Sequence, residues 1–371
     1  MKTKVITRIC GCMLTASILL TACSTGGAAS SGGAAAANAG GASSAGGDAA
    51  SSAAATGGSS SGKRYAIVVK STGNPYNEKE IEGFKTVVEK LGATAVSKEP
   101  EQPTAEAQVS MINELVSQKV DGIAVAANDV DALQPVLTKA IGKGIKVISL
   151  DSSVNPNSRA THVNQADPVA IGKALVAAVA DMTGGSGEFA ILSATSQATN
   201  QNAWIAQMKE VLKDSKYSGL KLDKIAYGDD LRDKSTTETE GLLKSYPNLK
   251  CIVSPTTVGI AAASKVLVDK GYSGKIKITG LGLPSEMASY IEKGTCPYMY
   301  LWNPIDVGKL AAYTLDACVQ GKITGKVGDS FDTADMGNKK VTKAADGGTE
   351  VLLGDPFKFS KDNIEQWKSV Y

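Results

Sequence analysis

From residue 63 onward, short apolar runs alternate with helix-length amphipathic runs, and the pattern occurs twice. The first block holds Tyr65–Lys70 (YAIVVK), a helix near 78–91, a strand near 93–97 and a helix near 104–118. DGIAVA (121–126), a helix near 131–143 and IKVISLD (145–151) complete it. Strands that read as near-continuous apolar runs are buried on both faces, as in a parallel sheet covered by helices on each side. The pattern then restarts. A helix near 167–182 leads through GGSG (184–187) to EFAILSA (188–194), a helix near 200–213 and KLDKIAY (221–227). A helix near 232–246, KCIVSP (250–255), a helix near 256–270 and KIKITGLG (275–282) follow. A helix near 284–293, a strand near 297–302 and a helix near 305–320 come next. A polar, Gly-rich section precedes VLLGDPFKF (351–359), and a last helix starts near Ser360, a suitable N-cap. Two such blocks predict an α/β chain of two doubly wound parallel-sheet domains, and 371 residues are enough for both.

The first 62 residues read as an address. Lys2, Lys4 and Arg8 form a positive start, and an apolar stretch from Cys12 to Leu20 follows. That stretch is shorter than the roughly 20 residues a bilayer span needs, so it reads as a signal-peptide core. It ends in Leu20-Thr21-Ala22-Cys23, which resembles a bacterial lipobox and implies cleavage before Cys23 and acylation of its sulfur. Residues 24–62 hold only Gly, Ala, Ser and Thr apart from Asn38 and Asp48. No such stretch buries enough surface to offset its ordering, so a flexible tether is expected over 23–62 after a 1–22 leader. Its 39 residues give a root-mean-square reach of roughly 35 Å. The expected location is extracytoplasmic, on the outer side of the cell membrane.

Charge and rare residues exclude several functions. Lys plus Arg is 39 and Asp plus Glu is 37. Removal of Lys2, Lys4 and Arg8 leaves 36 against 37, so the processed chain is near neutral and lacks the basic excess of a nucleic-acid binder. A single histidine, His162, rules out a histidine metal cluster. Cys251, Cys296 and Cys318 are far apart in sequence, so no CxxC motif exists among them. Cys251 reads as a buried strand thiol, while Cys296 and Cys318 are open to pairing. No Ser-His-Asp order, catalytic carboxylate pair or phosphate loop is present, and Gly280 with Gly282 lacks the third glycine of a dinucleotide motif. The chain therefore reads as a binder without catalytic residues, metal or cofactor.

Ligands of open parallel sheets bind outside the carboxyl ends of the strands. Those ends carry Lys70, Asn128 with Asp131, Asp151, Asn200 with Gln201, Pro255 with Thr257, and Trp302 with Asn303. Amides and carboxylates each pair with two vicinal hydroxyls, which suits a neutral polyol. Asn74, in the loop STGNPY after Lys70, joins this set. Each residue also has a plainer reading. Lys70 can be a solvated strand end, and Asp151 a turn or cap residue ahead of SSVNPNS. Trp204 packs its helix on a sheet or stacks on a ligand, and Trp302 is divided in the same way. Asp229 and Asp230 read as solvated turn residues, and His162 as part of an edge strand.

The segments ATNQNAW (198–204), YGDD (227–230), PTTVGIAAA (255–263), LWNP (301–304) and ITGK (323–326), in this order and spacing, carry a family likeness. Over roughly 63–371 the chain resembles the periplasmic-binding-protein-like receptors of bacterial ABC sugar importers, of the ribose/galactose-binding type. Within them it is most similar to the rhamnose-binding group, a sister of the autoinducer-2 receptors. The resemblance implies capture of a rhamnose-type deoxysugar, or alternatively autoinducer-2, in a cleft between two lobes. It also implies delivery to an ABC permease and ATPase by a monomeric receptor. Matched to the autoinducer-2 receptors, Lys70, Asp131, Gln201 and Pro255 agree. Asn200 stands where they have aspartate and Thr257 where they have alanine. The likeness further implies three crossings between lobes, near 164–165, 302–303 and 345–351. The lobes would then be 63–164 plus 303–345 and 165–302 plus 346–371, with Asn164 and Asn303 at the hinge facing the cleft.

Overall fold

The computed structural model describes residues 59–371. The expected leader, Cys23 and the tether up to residue 58 lie outside the described residues. The chain first lays down β1 (Arg64–Val68), α1 (Pro75–Lys90), β2 (Thr94–Lys98), α2 (Ala105–Ser117), β3 (Gly122–Val125), α3 (Gln134–Gly142), β4 (Lys146–Leu150) and β5 (His162–Ala166). It then crosses to α4 (Pro168–Thr183), β6 (Gly187–Ser193), α5 (Thr199–Val211), β7 (Leu220–Tyr227) and α6 (Arg232–Ser245). That side continues with β8 (Leu249–Ser254), α7 (Thr257–Asp269), β9 (Lys277–Gly280), α8 (Pro284–Glu292) and β10 (Tyr298–Leu301). The return brings α9 (Pro304–Val319), β11 (Ser330–Asp332), β12 (Asn338–Lys340), β13 (Thr342–Lys343) and β14 (Thr349–Gly354). Finally β15 (Phe357–Ser360) and α10 (Ile364–Trp367) end the chain.

Two sheets result. The first runs β13-β14-β5-β4-β3-β1-β2, parallel except for β13, and the second runs β7-β6-β8-β9, all parallel. A single parallel bridge from Leu281 to Tyr300 ties β9 to the antiparallel pair β10–β15. The near-continuous apolar runs follow from double-sided cover. In β1, Tyr65 and Ile67 join the core that holds Phe84 of α1, while Ala66 and Val68 face the core that holds Ile112 and Leu115 of α2. The outermost strand, β2, is only half-buried and reads TAVSK.

The return helix α9 lies against α1 with almost no space between backbones. A Cβ on Gly83 would stand 1.9 Å from the Ile305 carbonyl oxygen, and one on Gly308 would stand 1.9 Å from that of Glu80. Glycine is required at both positions because only a missing side chain permits this approach.

Each passage between lobes contains an acid or amide followed by proline: Asp167-Pro168, Asn303-Pro304 and Asp355-Pro356. Asp167 accepts from the Val169 N–H at 2.8 Å, and Asn303 from the Ile305 N–H at 3.0 Å. Proline at the first helical position has its ring angle preset and loses no needed donor.

The structure corrects several sequence expectations. Val351 pairs with Val163 and Gly354 with Ala166, so 346–354 belong to the first lobe and the third crossing follows Gly354. VLLGDPFKF is split at Asp355-Pro356 because proline has no N–H to continue a ladder. The same pairing extends β5 to Ala166, so the first crossing follows it rather than lying at 164–165. It also places β5 between β4 and β14, so His162 lies on an interior strand. Ser360 closes β15, and the last helix starts at Ile364 behind Asn363. Cys251, Cys296 and Cys318 are free, buried thiols. Cys296 lies just ahead of β10, whereas Cys318 sits on α9 in the other lobe.

Candidate functional site

The carboxyl ends of both sheets face one cavity. The first lobe contributes Lys70 from the end of β1, Asn74, Tyr76 and Asn77 from the start of α1, and Asp151 from the end of β4. The second contributes Asn200, Gln201 and Trp204 from α5, Asp230, and Pro255, Thr256 and Thr257 from the β8–α7 junction. Leu281, Leu301 and Trp302 complete the lining.

Side chains of the two lobes bond each other across this cavity. The Lys70 Nζ donates to Asn200 Oδ1 at 3.1 Å and lies 3.8 Å from Asp151 Oδ2. Asn200 Nδ2 donates to Asp151 Oδ2 at 3.1 Å. Tyr76 donates its hydroxyl to Asp151 Oδ1 at 3.3 Å and accepts from the Trp302 indole N–H at 2.6 Å. The rings of Trp204 and Trp302 are 5.6 Å apart and inclined by 59°, an attractive tilted arrangement.

Local structure fixes these groups. Asn128 donates to the Lys70 carbonyl at 2.9 Å, and Gln108 donates to the carbonyls of Val69 at 3.0 Å and Ala126 at 2.7 Å. Asn74 caps α1 by accepting from the Tyr76 N–H at 3.0 Å, which turns Tyr76 inward. Asp151 has a φ of +54°, a left-handed conformation that costs of order 1–3 kcal/mol outside glycine and is tolerated best by Asp and Asn.

The electrostatics are those of one cation among several carboxyl groups. Burial pushes the Asp151 carboxyl above its ordinary value, opposed by the charge of Lys70 and by bonds from Tyr76 and Asn200. Asp230 is also raised by burial, with Lys70 and a bond from Thr256 opposing. Glu80, one turn beyond Tyr76 on α1, is fully buried, and neither carboxyl oxygen has a hydrogen-bond partner. Burial lifts it well above the usual carboxylate range, and the charge of Asp151 adds to this. A neutral Glu80 spares the site a second uncompensated buried anion.

Lys70, Asn74, Asp151, Asn200, Gln201, Pro255, Thr257 and Trp302 come together in this cavity. Three other expected residues do not. Asp131 is exposed beyond the turn after β3 and accepts from Asn155 Nδ2 at 3.4 Å. Asp151, one strand further on, holds the carboxylate position beside Lys70. Asn303 spends its side chain capping α9. Asn164 lines a neighbouring cavity and donates to Glu350 Oε2 at 2.8 Å. Sequence reasoning missed Tyr76 and Asn77 altogether. Their signal was the Asn74 cap, which sets which residues of the first turn face in. It also misread Asp230 as solvated: Asp230 borders the cavity and accepts from the Thr256 hydroxyl. Among the described residues there is no group of three or more His, Cys, Asp or Glu placed to hold a metal ion, and no helix long and apolar enough to cross a membrane.

Residues 65–323 match the periplasmic binding protein domain. A solute-binding protein of an ABC transporter from Clostridium phytofermentas, solved with L-rhamnose, is 55% identical with a TM-score of 0.83. The match covers 84% of this chain and 100% of that one. The D-allose-binding periplasmic protein of Escherichia coli is 26% identical over 71% of this chain and 86% of its own length. LsrB from Clostridium saccharobutylicum, solved with AI-2, shares the fold at 22% identity and a TM-score of 0.77, covering 82% of this chain and 99% of that one. With its two doubly wound lobes and the cavity between them, the chain belongs to the periplasmic binding protein family and is a solute binder, not an enzyme.

Proposed function

We propose that this chain is the sugar-capturing component of an ABC importer and that its ligand is L-rhamnose. The observation that carries this reading is the pairing of Lys70, Asp151 and Asn200 across the cavity beside two tryptophans. A ring hydroxyl has one donor and two acceptor positions. Asp151 offers acceptors, Lys70 offers donors, and Asn200 offers both. A hydroxyl that inserts among them exchanges one set of hydrogen bonds for another and leaves no buried charge unpaired. The faces of Trp204 and Trp302 and the side chains of Leu281 and Leu301 suit the C–H faces of the sugar and the methyl of a 6-deoxyhexose. The 55% identity to the rhamnose-bound protein supports the same choice.

Capture proceeds by closure. Lys70 and Asp151 belong to one lobe and Asn200 to the other, so a ligand bound to all three holds the lobes together. The closed form is the one presented to a permease driven by an ATPase. The receptor acts as a monomer, anchored outside the cytoplasm through lipid on Cys23. The test is isothermal titration of the chain with L-rhamnose and with autoinducer-2. Saturable binding of L-rhamnose is expected. Binding of autoinducer-2 alone would transfer the assignment to signal capture, and binding of neither would remove the ligand assignment. Recovery of the chain from the membrane fraction, lost on Cys23→Ser, tests the anchor.

A further inference from the structure

A second and larger space adjoins the first. It is open to solvent and lies between β5, the start of α5 and the 343–352 return. Asp151, Asn200 and Trp204 line both spaces. The partition therefore includes the Asn200–Asp151 hydrogen bond of 3.1 Å, and its two ends belong to different lobes. Any parting of the lobes opens it. A group linked to a sugar in the first cavity has a direct path into the second once that bond gives way to a bridging oxygen.

The lining of the second space is suited to a neutral ring. Gln165 is 1% exposed, and its Oε1 has no hydrogen-bond partner. The Thr199 hydroxyl, at the start of α5, is buried and also unpartnered. Native proteins pair nearly all such atoms, so these two, closed off from solvent in this arrangement, leave a bond for an ordered water or, once uncovered, a ligand hydroxyl to supply. Asp167, Asp346 and Glu350 outnumber Lys343 along its border, which disfavours a phosphorylated or carboxylated ligand. The Trp204 ring, shared by the two spaces, offers an apolar face at the junction.

We propose that this space is a second sugar subsite and that the chain captures rhamnosides: a rhamnosyl ring in the first cavity, O-linked to a neutral sugar ring in the second. This rests on the L-rhamnose reading above. The experiment titrates the full chain with L-rhamnose and with the disaccharide α-L-rhamnosyl-(1→2)-L-rhamnose, then repeats both with Ala203→Trp. Ala203 is exposed and lines only the second space, so the new side chain fills that space without entering the first. The disaccharide is expected to bind at least as tightly as L-rhamnose. Ala203→Trp is expected to weaken it by about ten-fold or more while leaving L-rhamnose within about two-fold. Retained L-rhamnose binding also reports that the variant is folded; if that binding is lost, Val169→Trp at the mouth of the same space takes its place. L-Rhamnose binding with no disaccharide binding would overturn the subsite alone. Equal disaccharide affinity in both proteins would do the same. Disaccharide binding without L-rhamnose binding would overturn the monosaccharide reading and keep the subsite.

Discussion

The two walls of the ligand cavity are held in different ways. The first-lobe wall is wired into its own lobe: Asn128 fixes the Lys70 backbone, Asn74 caps the helix that carries Tyr76, and Tyr76 bonds Asp151. On the facing wall, the Asn200 side chain bonds Lys70 and Asp151 in the other lobe, and Gln201 Oε1 has no partner. One wall is therefore a preorganised template, while the other completes its bonds at closure. Preorganised groups incur less ordering cost on binding, and groups that bond across the cleft couple ligand affinity to lobe position.

Substitutions break this contrast in order of effect. Asp151→Ala strips the carboxylate from a buried Lys70, a change that costs about 3–5 kcal/mol when a buried pair is broken. Rhamnose affinity should fall by more than about 100-fold by titration, and the melting temperature should fall with it. A variant that loses affinity but keeps its melting temperature would show that the template is not structural. Asn200→Ala removes two cross-cleft bonds and, within its own lobe, only the bond that Oδ1 accepts from the Gln201 N–H at 2.9 Å. It should weaken binding by about 1–3 kcal/mol with little change in melting temperature, and a large thermal loss would erase the distinction between the walls.

The pH dependence of stability should also divide along the template side. His162, buried beside Arg159, has its pKa pushed down to about 3 from 6.5. The unfolded chain therefore binds that proton first as pH falls, so stability drops below about pH 6.5. His162→Gln should flatten the slope of melting temperature between pH 6.5 and 4, and an unchanged slope would assign it to other groups. Glu80 runs the opposite way. Its folded pKa lies above the ordinary 4.5, so its contribution is complete below that value and is lost as pH rises. Glu80→Gln, which keeps the shape without the ionisation, should be the mildest change. It should be neutral at low pH and increasingly stabilising as pH rises above the ordinary carboxylate range. Destabilisation there would mean that the carboxylate is charged and paired.

Much of the architecture is legible in the sequence because parallel strands covered on both faces leave unbroken apolar runs such as YAIVV and GIAV. What the runs do not encode is which sheet a strand joins. VLLG and FKFS sit two residues apart, yet they pair with β5 and β10 respectively, and pairings made with Val163 for Val351 and with Tyr298 for Ser360 have no local signal. The site was legible where a polar residue ends a buried strand, as with Lys70 and Asp151. It was not legible where a helix start turns a side chain inward, as with Tyr76, or where one turn aspartate, Asp230, meets the cavity while its neighbour pairs with Lys234. Asp131 and Asp151 both follow strands, and only the tertiary path separates the exposed carboxylate from the buried one.

The return of the chain through α9 and β14 sets the order in which the molecule can be assembled. The lobe whose residues emerge first from the ribosome lacks a helix and an interior strand neighbour until residue 354 has been made, and the other waits for Phe357–Ser360 to cover β10. Synthesis runs from one end, while completion waits for the other. A nascent chain of this design completes neither lobe until its last residues arrive.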